Sequence, residues 1–272
     1  MLANFLYSAP IWLVGFLVIG LWTGLSLLGL NIFHKRVDVH LRHKDTETVG
    51  LTYAIVAVVY AVLLALITVD VFENFARADT IATAESNRLS NLILDSTGLP
   101  PQMAAEMRSD LNKYIDIVVK KEWPSQRDGQ LAEDVFEPGW TLLAHINTEL
   151  AVFEPATLGQ NVDKAEMLHA MNELIKARRS RIIAAGEHLP VVIWKMLVLG
   201  GAISVIFTFL FGARTFRIHM AITGLIAATI GLVFVLIITM DFPFRGTVSV
   251  TSDSFLNVQQ SAAGALAALP HH

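Results

Sequence analysis

The sequence predicts an all-α membrane protein, with four transmembrane helices and a helical extramembrane insertion between helices 2 and 3. Of its 272 residues, 54% are hydrophobic and only 16% are charged, whereas soluble domains carry about 25% charged residues. Four stretches reach the roughly 20 apolar residues that a helix needs to cross the hydrocarbon core. They cover residues 11–33, 49–69, 189–213 and 218–240.

Each stretch is predicted to be a membrane span. The first two contain no charged residue, the third contains only Lys195, and the fourth contains only His219. The first lacks a basic segment and is too long for a cleavable signal, so we expect it to be retained. Small residues within the spans predict close helix packing, with a glycine-lined pore as the alternative. They are Gly15, Gly20, Gly24, Gly29, Gly200, Gly201, Gly224, Ala228 and Gly231.

The insertion is predicted to be helical because it shows no sustained alternation of apolar and polar residues. Helices are expected at 76–95, continuing span two without a break, at 100–123 and at 163–187. Turn-forming residues at 123–125 and 128–129 should end the second helix, and Pro190 should kink the junction with span three. The chain thus divides into 1–73 with spans one and two, the insertion 74–188, 189–241 with spans three and four, and a tail, 242–272.

The composition argues against several classes of function. The formal net charge is −4 and no basic stripe is interleaved with aromatic residues, so no nucleic acid partner is expected. The absence of cysteine excludes thiol chemistry. No HExxH, GxSxG or P-loop pattern occurs, so neither enzymatic activity nor a cofactor is predicted. Glu122, beside Trp123, is interpreted as a capping or salt-bridge residue.

A histidine-rich connector joins spans one and two. His34, His40 and His43 lie there with Asp38 and Asp45. Imidazole and carboxylate groups are metal ligands, but this set lacks the fixed spacing of a zinc motif. No metal site is therefore predicted.

Four local patterns occur in order along the chain. Glu85 opens a helix after span two, residues 114–124 end in Lys-Glu-Trp-Pro, Arg178 and Arg181 precede span three, and residues 241–246 read Asp-Phe-Pro-Phe-Arg-Gly. Over residues 11–255 the chain resembles the bestrophin-like family of unknown function, common in bacteria and distantly similar to bestrophins. The resemblance implies a pentameric, mostly anion-conducting channel with four spans per subunit. It also implies pore walls from span two, and termini and helical region in the cytoplasm.

If span two lines a pore, residues at seven-residue spacing form one face of it, and carboxylates follow at the membrane exit. The candidates are Tyr53, Val56, Tyr60, Leu63, Ile67, Asp70 and Glu73. An apolar ring gates by dewetting, and a carboxylate ring favours cations, opposite to the anions that the resemblance implies. The alternatives are interhelical packing of the tyrosines and solvated carboxylates at the interface.

Three further residues are candidates for an ion site or entrance. Lys195, inside span three, either holds an anion, pairs with Asp241 or extends to the nearer interface. Asp241 and Arg245 belong to the Asp-Phe-Pro-Phe-Arg-Gly segment, which is expected to end span four in an ordered turn. That turn serves either the fold or the entrance.

The charge distribution predicts an orientation. The short connectors 34–48 and 213–217 carry Lys and Arg and are predicted to be cytoplasmic, with the termini and the insertion outside a bacterial inner membrane. This is opposite to the orientation that the resemblance implies. The combined hypothesis is a homo-oligomeric channel in the lipid bilayer for inorganic ions. The alternative is a non-conducting membrane sensor or scaffold whose insertion binds a partner.

Overall fold

A computed structural model describes residues 9–37, 46–212 and 215–267, and nearly all of them are helical, without a strand in these ranges. The helices are α1 (Ile11–Arg36), α2 (Thr46–Asp95), α3 (Pro101–Ile117), α4 (Trp123–Arg127), α5 (Glu133–Val152), α6 (Leu158–Gly186), α7 (Val191–Phe209), α8 (Phe216–Met240) and α9 (Asp253–Ala267). Four helical stretches are long and apolar enough to cross a membrane: Ile11–Arg36, Thr46–Gly98, Leu158–Phe209 and Phe216–Met240. The predicted all-α fold with four spans is confirmed.

The chain forms two compact units. We call the first the membrane unit; it contains α1, α2 up to Asn74, α7, α8 and residues 246–248. The second, the insert unit, contains Phe75–Glu187, Phe242–Arg245 and residues 249–267. Residues 242–245 and 249–267, which were predicted to form a separate tail, therefore pack with the insertion.

Helix α2 runs without a break through 50 residues. Beyond Gly50 it contains neither glycine nor proline, so every backbone N–H from there on remains available to the helical ladder. The expected continuation of span two into the insertion is what the structure shows. Span three instead begins afresh, because α6 ends at Gly186 and Pro190 precedes α7.

The helices of the insertion differ from the prediction in two places. The segment 123–125 does not end the second helix: a five-residue π turn, Val118–Glu122, leads directly into α4. Pro124 lies in the first turn of α4, where a missing N–H costs no helical bond. The chain leaves the helix only at Asp128 and at Gly129, whose φ is 70°. Helix α5 was not predicted at all.

Close contacts between α1 and α8 and around Tyr60 build the core of the membrane unit. A Cβ on Gly231 would lie 3.2 Å from the Cα of Ile19, so these two helix backbones are in contact there. Gly200 leaves room for the ring of Tyr60. Most of the predicted small residues thus serve packing, but Gly20 and Gly24 have no atom within 4 Å of the Cβ position.

Candidate functional site

Helix α2 has one face packed within the membrane unit and one face exposed. Tyr60 and Ile67 are buried, and the hydroxyl of Tyr60 donates to the carbonyl of Leu197 at 2.8 Å. The ring of Tyr53 contacts Phe207 and Phe211, with centroids 6.3 and 5.6 Å apart. These contacts favour the packing alternative for the two tyrosines and Ile67.

The other candidates on α2 are more accessible. Val56 and Leu63 are half-buried, and Asp70 and Glu73 are exposed. One exposed stripe of α2, which lies beside the equally exposed Leu51, Val58 and Phe72, differs from the predicted face. It consists of Ile55, Val59, Val62, Leu66 and Val69, all more than half exposed.

Asp241 fixes the start of span three. It is buried, and its Oδ1 accepts the backbone N–H of Leu189 at 2.7 Å while its Oδ2 accepts the indole N–H of Trp194 at 3.1 Å. Lys195 is exposed, and no ion pair joins it to Asp241. The carboxylate thus joins the end of α8 to the residues around the start of α7, which is a role in the fold.

The segment after Asp241 is the predicted ordered turn. Gly246 has a φ of 89°, a conformation that suits glycine, and the N–H of Val250 donates to the carbonyl of Pro243 at 2.8 Å. Phe244 is buried against Trp123, with ring centroids 5.5 Å apart. The guanidinium of Arg245 lies 5.0 Å from the ring centroid of Phe242. These contacts give the turn a packing role in the insert unit.

Six polar side chains meet in the centre of the insert unit. We call them the charge network: Glu85, Tyr114, Glu122, Gln126, Arg178 and Arg181, none of which has any exposed surface. They come from α2, α3, the π turn, α4 and α6. The network contains two arginines and two glutamates, so its formal charges balance.

Glu122 joins the two arginines. Arg178 binds it with both terminal nitrogens, Nη2 to Oε1 at 2.7 Å and Nη1 to Oε2 at 3.0 Å. Arg181 Nη2 binds the same Oε2 at 2.7 Å. The salt-bridge interpretation of Glu122 is confirmed.

Glu85 holds the other side of Arg181. Arg181 Nε donates to Oε2 of Glu85 at 2.7 Å, and Nη2 donates to Oε1 at 3.3 Å. Its Nη1 donates to Oε1 of Gln126 at 3.1 Å. Such forked pairing with a planar guanidinium fixes geometry as well as charge.

Tyr114 links the two halves of the network. Its hydroxyl donates to Oε1 of Glu85 at 2.6 Å and accepts from Nη1 of Arg178 at 3.0 Å. Burial raises the pKa of this hydroxyl well above its usual value, and the charge of Glu85 raises the pKa further. The phenol therefore stays protonated and donates at any ordinary pH.

Burial and pairing shift the pKa values of the two arginines in opposite directions. Burial alone lowers the pKa of Arg181, but the carboxylates of Glu85 and Glu122 outweigh it, and the net pKa lies above the ordinary value. The pKa of Arg178 is likewise raised, because its pairing with Tyr114 and Glu122 outweighs burial. Both guanidinium groups are thus held in the charged form.

The backbone of helix α5 contacts the charge network. Its Phe136 carbonyl accepts from Nη2 of Arg178 at 2.9 Å, and a Cβ on Gly139 would lie 2.6 Å from Oε1 of Glu122. Trp140 lies beneath the same guanidinium, 4.8 Å from its ring centroid. The glycine is needed because the charged side chains approach the helix so closely.

Glu85, Arg178 and Arg181 were predicted only as residues that carry the family resemblance, although the sequence also contains a signal for their burial. Arg178 and Arg181 continue the buried heptad stripe of α6, and Glu85 occupies the same kind of position in α2. The stripes read Met167, Met171, Leu174, Arg178, Arg181 and Ala78, Ala82, Glu85, Leu89, Leu92. A charge at a core position of such a stripe predicts a buried ionic partner.

The metal hypothesis concerns mostly residues outside the described ranges, since Asp38, His40, His43 and Asp45 lie in 38–45. His34, which the structure describes, stacks on Phe216 with centroids 4.3 Å apart. Among the described residues no group of three histidines and carboxylates is placed to hold a metal ion.

Four membrane-spanning helices with a helical insertion after the second make this chain a polytopic, all-α membrane protein. The family model for the bestrophin-like domain matches residues 13–255. The chain therefore belongs to the bestrophin-like family.

Similar solved structures support the fold. A bacterial bestrophin homolog from Klebsiella pneumoniae with a leucine-to-threonine mutation is 14% identical, with a TM-score of 0.66 over 92% of this chain and 99% of that chain. The same homolog with an isoleucine-to-threonine mutation is 15% identical, with a TM-score of 0.64 over 90% and 99%. No curated protein sequence matches the chain. At these identities the similarity establishes the fold alone.

Proposed function

We propose that the chain is the subunit of a homo-oligomeric, pentameric ion channel whose pore is lined by α2. Membership of the bestrophin-like family supports a channel. The observation that carries the proposal is the two-faced α2: Tyr60 and Ile67 pack within their own subunit, and the opposite stripe is free to face a symmetry axis. The proposed pore face is thus the exposed stripe of α2, and not the face with Tyr60 and Ile67 that the sequence predicted.

The exposed stripe has the chemistry of a gate. Ile55, Val59, Val62, Leu66 and Val69 recur every three or four residues over more than three helical turns, so they form a continuous apolar line. Five such lines around an axis make a narrow hydrophobic passage that closes by dewetting.

Charged residues follow the stripe directly. Asp70 lies one turn beyond Leu66, Glu73 one turn beyond Val69, and all of Asp70, Glu73 and Arg77 are exposed. In a symmetric oligomer each becomes a ring. The carboxylate rings favour cations, whereas the resemblance to bestrophins and the ring of Arg77 favour anions.

Ion flux through purified protein in liposomes tests the proposal, with chloride and sodium gradients measured separately. Leu66→Trp should abolish flux by filling the passage, and Leu66→Ala should increase it. The matched control is Leu21→Trp on α1, because Leu21 and Leu66 are equally exposed at 66%. Asp70→Asn with Glu73→Gln should lower sodium flux if the carboxylate rings select the ion.

A pore along α2 is contradicted if Leu66→Trp and Leu21→Trp conduct equally. If the wild type passes neither ion while remaining an intact oligomer, the protein is a sensor or scaffold whose insert unit binds a partner.

We further propose a bacterial inner membrane location, with the connectors 34–48 and 213–217 in the cytoplasm. The chain has no cysteine, so Lys35→Cys, at the exposed end of α1, gives a single reactive thiol. A membrane-impermeant maleimide should label it only after the cells are opened. Labelling of intact cells would show that the orientation is the opposite one, with the insert unit in the cytoplasm.

A further inference from the structure

A cavity of about 300 Å³ lies in the membrane unit, between α2, α7 and α8. This volume is at the lower end of the range for small-molecule sites, about 300–1,000 Å³. The side chains that define its walls are Tyr53, Thr208, Phe211, His219, Ile222 and Ile226. None of them belongs to the exposed stripe of α2.

The cavity extends from the membrane surface into the hydrocarbon region. α2 begins, α7 ends and α8 begins on this side of the membrane, because successive spans alternate in direction. Ile226 is ten residues into α8, which is about 15 Å along the helix axis at the usual rise per residue. A ligand in the cavity would therefore lie at the depth of the first turns of α8 in the membrane.

The walls favour a hydrocarbon occupant. Aromatic and branched aliphatic side chains supply most of the surface, and two of the polar side chains at the wall, His219 and Thr208, are hydrogen-bonded within the protein. His219 Nε2 is hydrogen-bonded to the carbonyl of Thr208 at 2.7 Å, and the Thr208 hydroxyl lies 3.0 Å from that of Thr223. A polar ligand would have to replace these bonds, whereas an alkyl chain leaves them intact.

Basic side chains lie at this end of α1 and α8. Lys35 and Arg36 end α1, Arg217 is the second residue of α8, and all three are exposed. The stacking of His34 on Phe216 places the end of α1 beside the start of α8. Basic groups at this level beside an interhelical pocket suit the phosphate of a membrane lipid.

We propose that the cavity binds one acyl chain of an anionic membrane phospholipid, whose phosphate lies at the level of Lys35, Arg36 and Arg217. The acyl chain fills the space between α2, α7 and α8. Its binding requires neither a pore nor ion conduction, so this inference is independent of the proposed channel.

The test is retention of phosphatidylglycerol by the full chain in mild detergent, measured by native mass spectrometry during a lipid titration. Ile222→Trp fills the cavity and should lower retention several-fold. Leu225→Trp is the control, because Leu225 is on the same helix at similar depth but is 72% exposed and outside the cavity. Arg217→Gln should weaken phosphatidylglycerol more than phosphatidylcholine.

A second variant separates lost binding from misfolding. Ile222→Ser adds no bulk and makes the wall polar, so it too should reduce retention while the oligomer mass is unchanged. Equal retention by the wild type, both Ile222 variants and Leu225→Trp would overturn the proposal. Equal loss with Leu225→Trp and Ile222→Trp would also overturn it, since it would show that any tryptophan on α8 has this effect.

Discussion

Tyr60 in the membrane unit and Tyr114 in the insert unit are both buried and hydrogen-bonded, but their surroundings differ. The Tyr60 hydroxyl meets a single neutral carbonyl at 2.8 Å, and its ring fits against Gly200. The Tyr114 hydroxyl lies between a carboxylate and a guanidinium. The membrane unit thus packs mainly through small residues, with Asp241 as a buried carboxylate that accepts two neutral donors, whereas the insert unit is organised around paired charges.

The difference follows from how each unit selects one arrangement of its helices. An apolar span can face lipid with any of its sides. The specificity of packing between spans therefore comes from close backbone approach, as at Gly231 and Ile19. The insertion must select one arrangement of several amphipathic helices, and a buried charge network satisfies its partners in only one arrangement. Exchanging the whole network for apolar residues can be neutral, but removing one member leaves an unpaired buried charge. Four predictions test this contrast.

The largest effect is expected for Arg181→Met. The substitution leaves Glu85 without its main partner and removes one of two partners of Glu122, so the free energy of unfolding should fall by about 3–5 kcal/mol. Urea unfolding of the detergent-solubilised chain, followed by tryptophan fluorescence, measures it. Arg179→Met is the control, because Arg179 is exposed on the same helix. Equal unfolding midpoints for the two variants would show that the network does not hold the insert unit together.

Gly139→Ala should lower the free energy of unfolding by about 1–3 kcal/mol, because the new methyl group overlaps the paired side chains of Arg178 and Glu122. This overlap must outweigh the gain in helix propensity, about 1 kcal/mol. Gly159→Ala is the matched control: the nearest atom to its Cβ is 3.8 Å away, so its unfolding curve should shift little or toward higher stability. A stabilised Gly139→Ala protein would contradict the tight approach.

A tyrosine-to-phenylalanine substitution in each unit compares the two units directly. Tyr114→Phe removes a hydroxyl that pairs with two charged groups and should cost about 1–3 kcal/mol. Tyr60→Phe removes one neutral bond inside the membrane unit and should cost about 0.6 kcal/mol. Thermal unfolding of both variants in one detergent gives the ranking. A larger loss for Tyr60→Phe would reverse the proposed contrast.

The smallest effect concerns alkaline pH. The unfolded chain releases the Tyr114 proton near pH 10, whereas the folded chain retains it, because burial raises the pKa. Stability from this group is therefore complete below pH 10 and falls above it, by at most about 1.4 kcal/mol per pH unit. Tyr114→Phe should show a shallower loss between pH 10 and 11, and Arg179→Met should follow the wild type. Identical slopes for Tyr114→Phe and the wild type would exclude this linkage.

The spans and the continuity of α2 were predictable because they depend on local composition alone. Helix α5 was missed because Pro138-Gly139 resembles a turn, and only the distant Arg178 and Glu122 explain the glycine. The pairing of Glu85 with Arg181 joins residues 96 positions apart, which no local pattern encodes. The packed face of α2 could not be derived from the sequence, because a span that is apolar all round has no periodicity that distinguishes its faces.

The π turn gives one segment an unusual sensitivity to length. Removing a single residue between Val118 and Glu122 would allow a regular helix, but each residue turns a helix by about 100°. Either Tyr114 or Glu122 would then rotate out of the charge network. Lys120 and Lys121 are exposed, so substitutions there should be tolerated. The surface composition of this segment should thus tolerate change, whereas its number of residues should not.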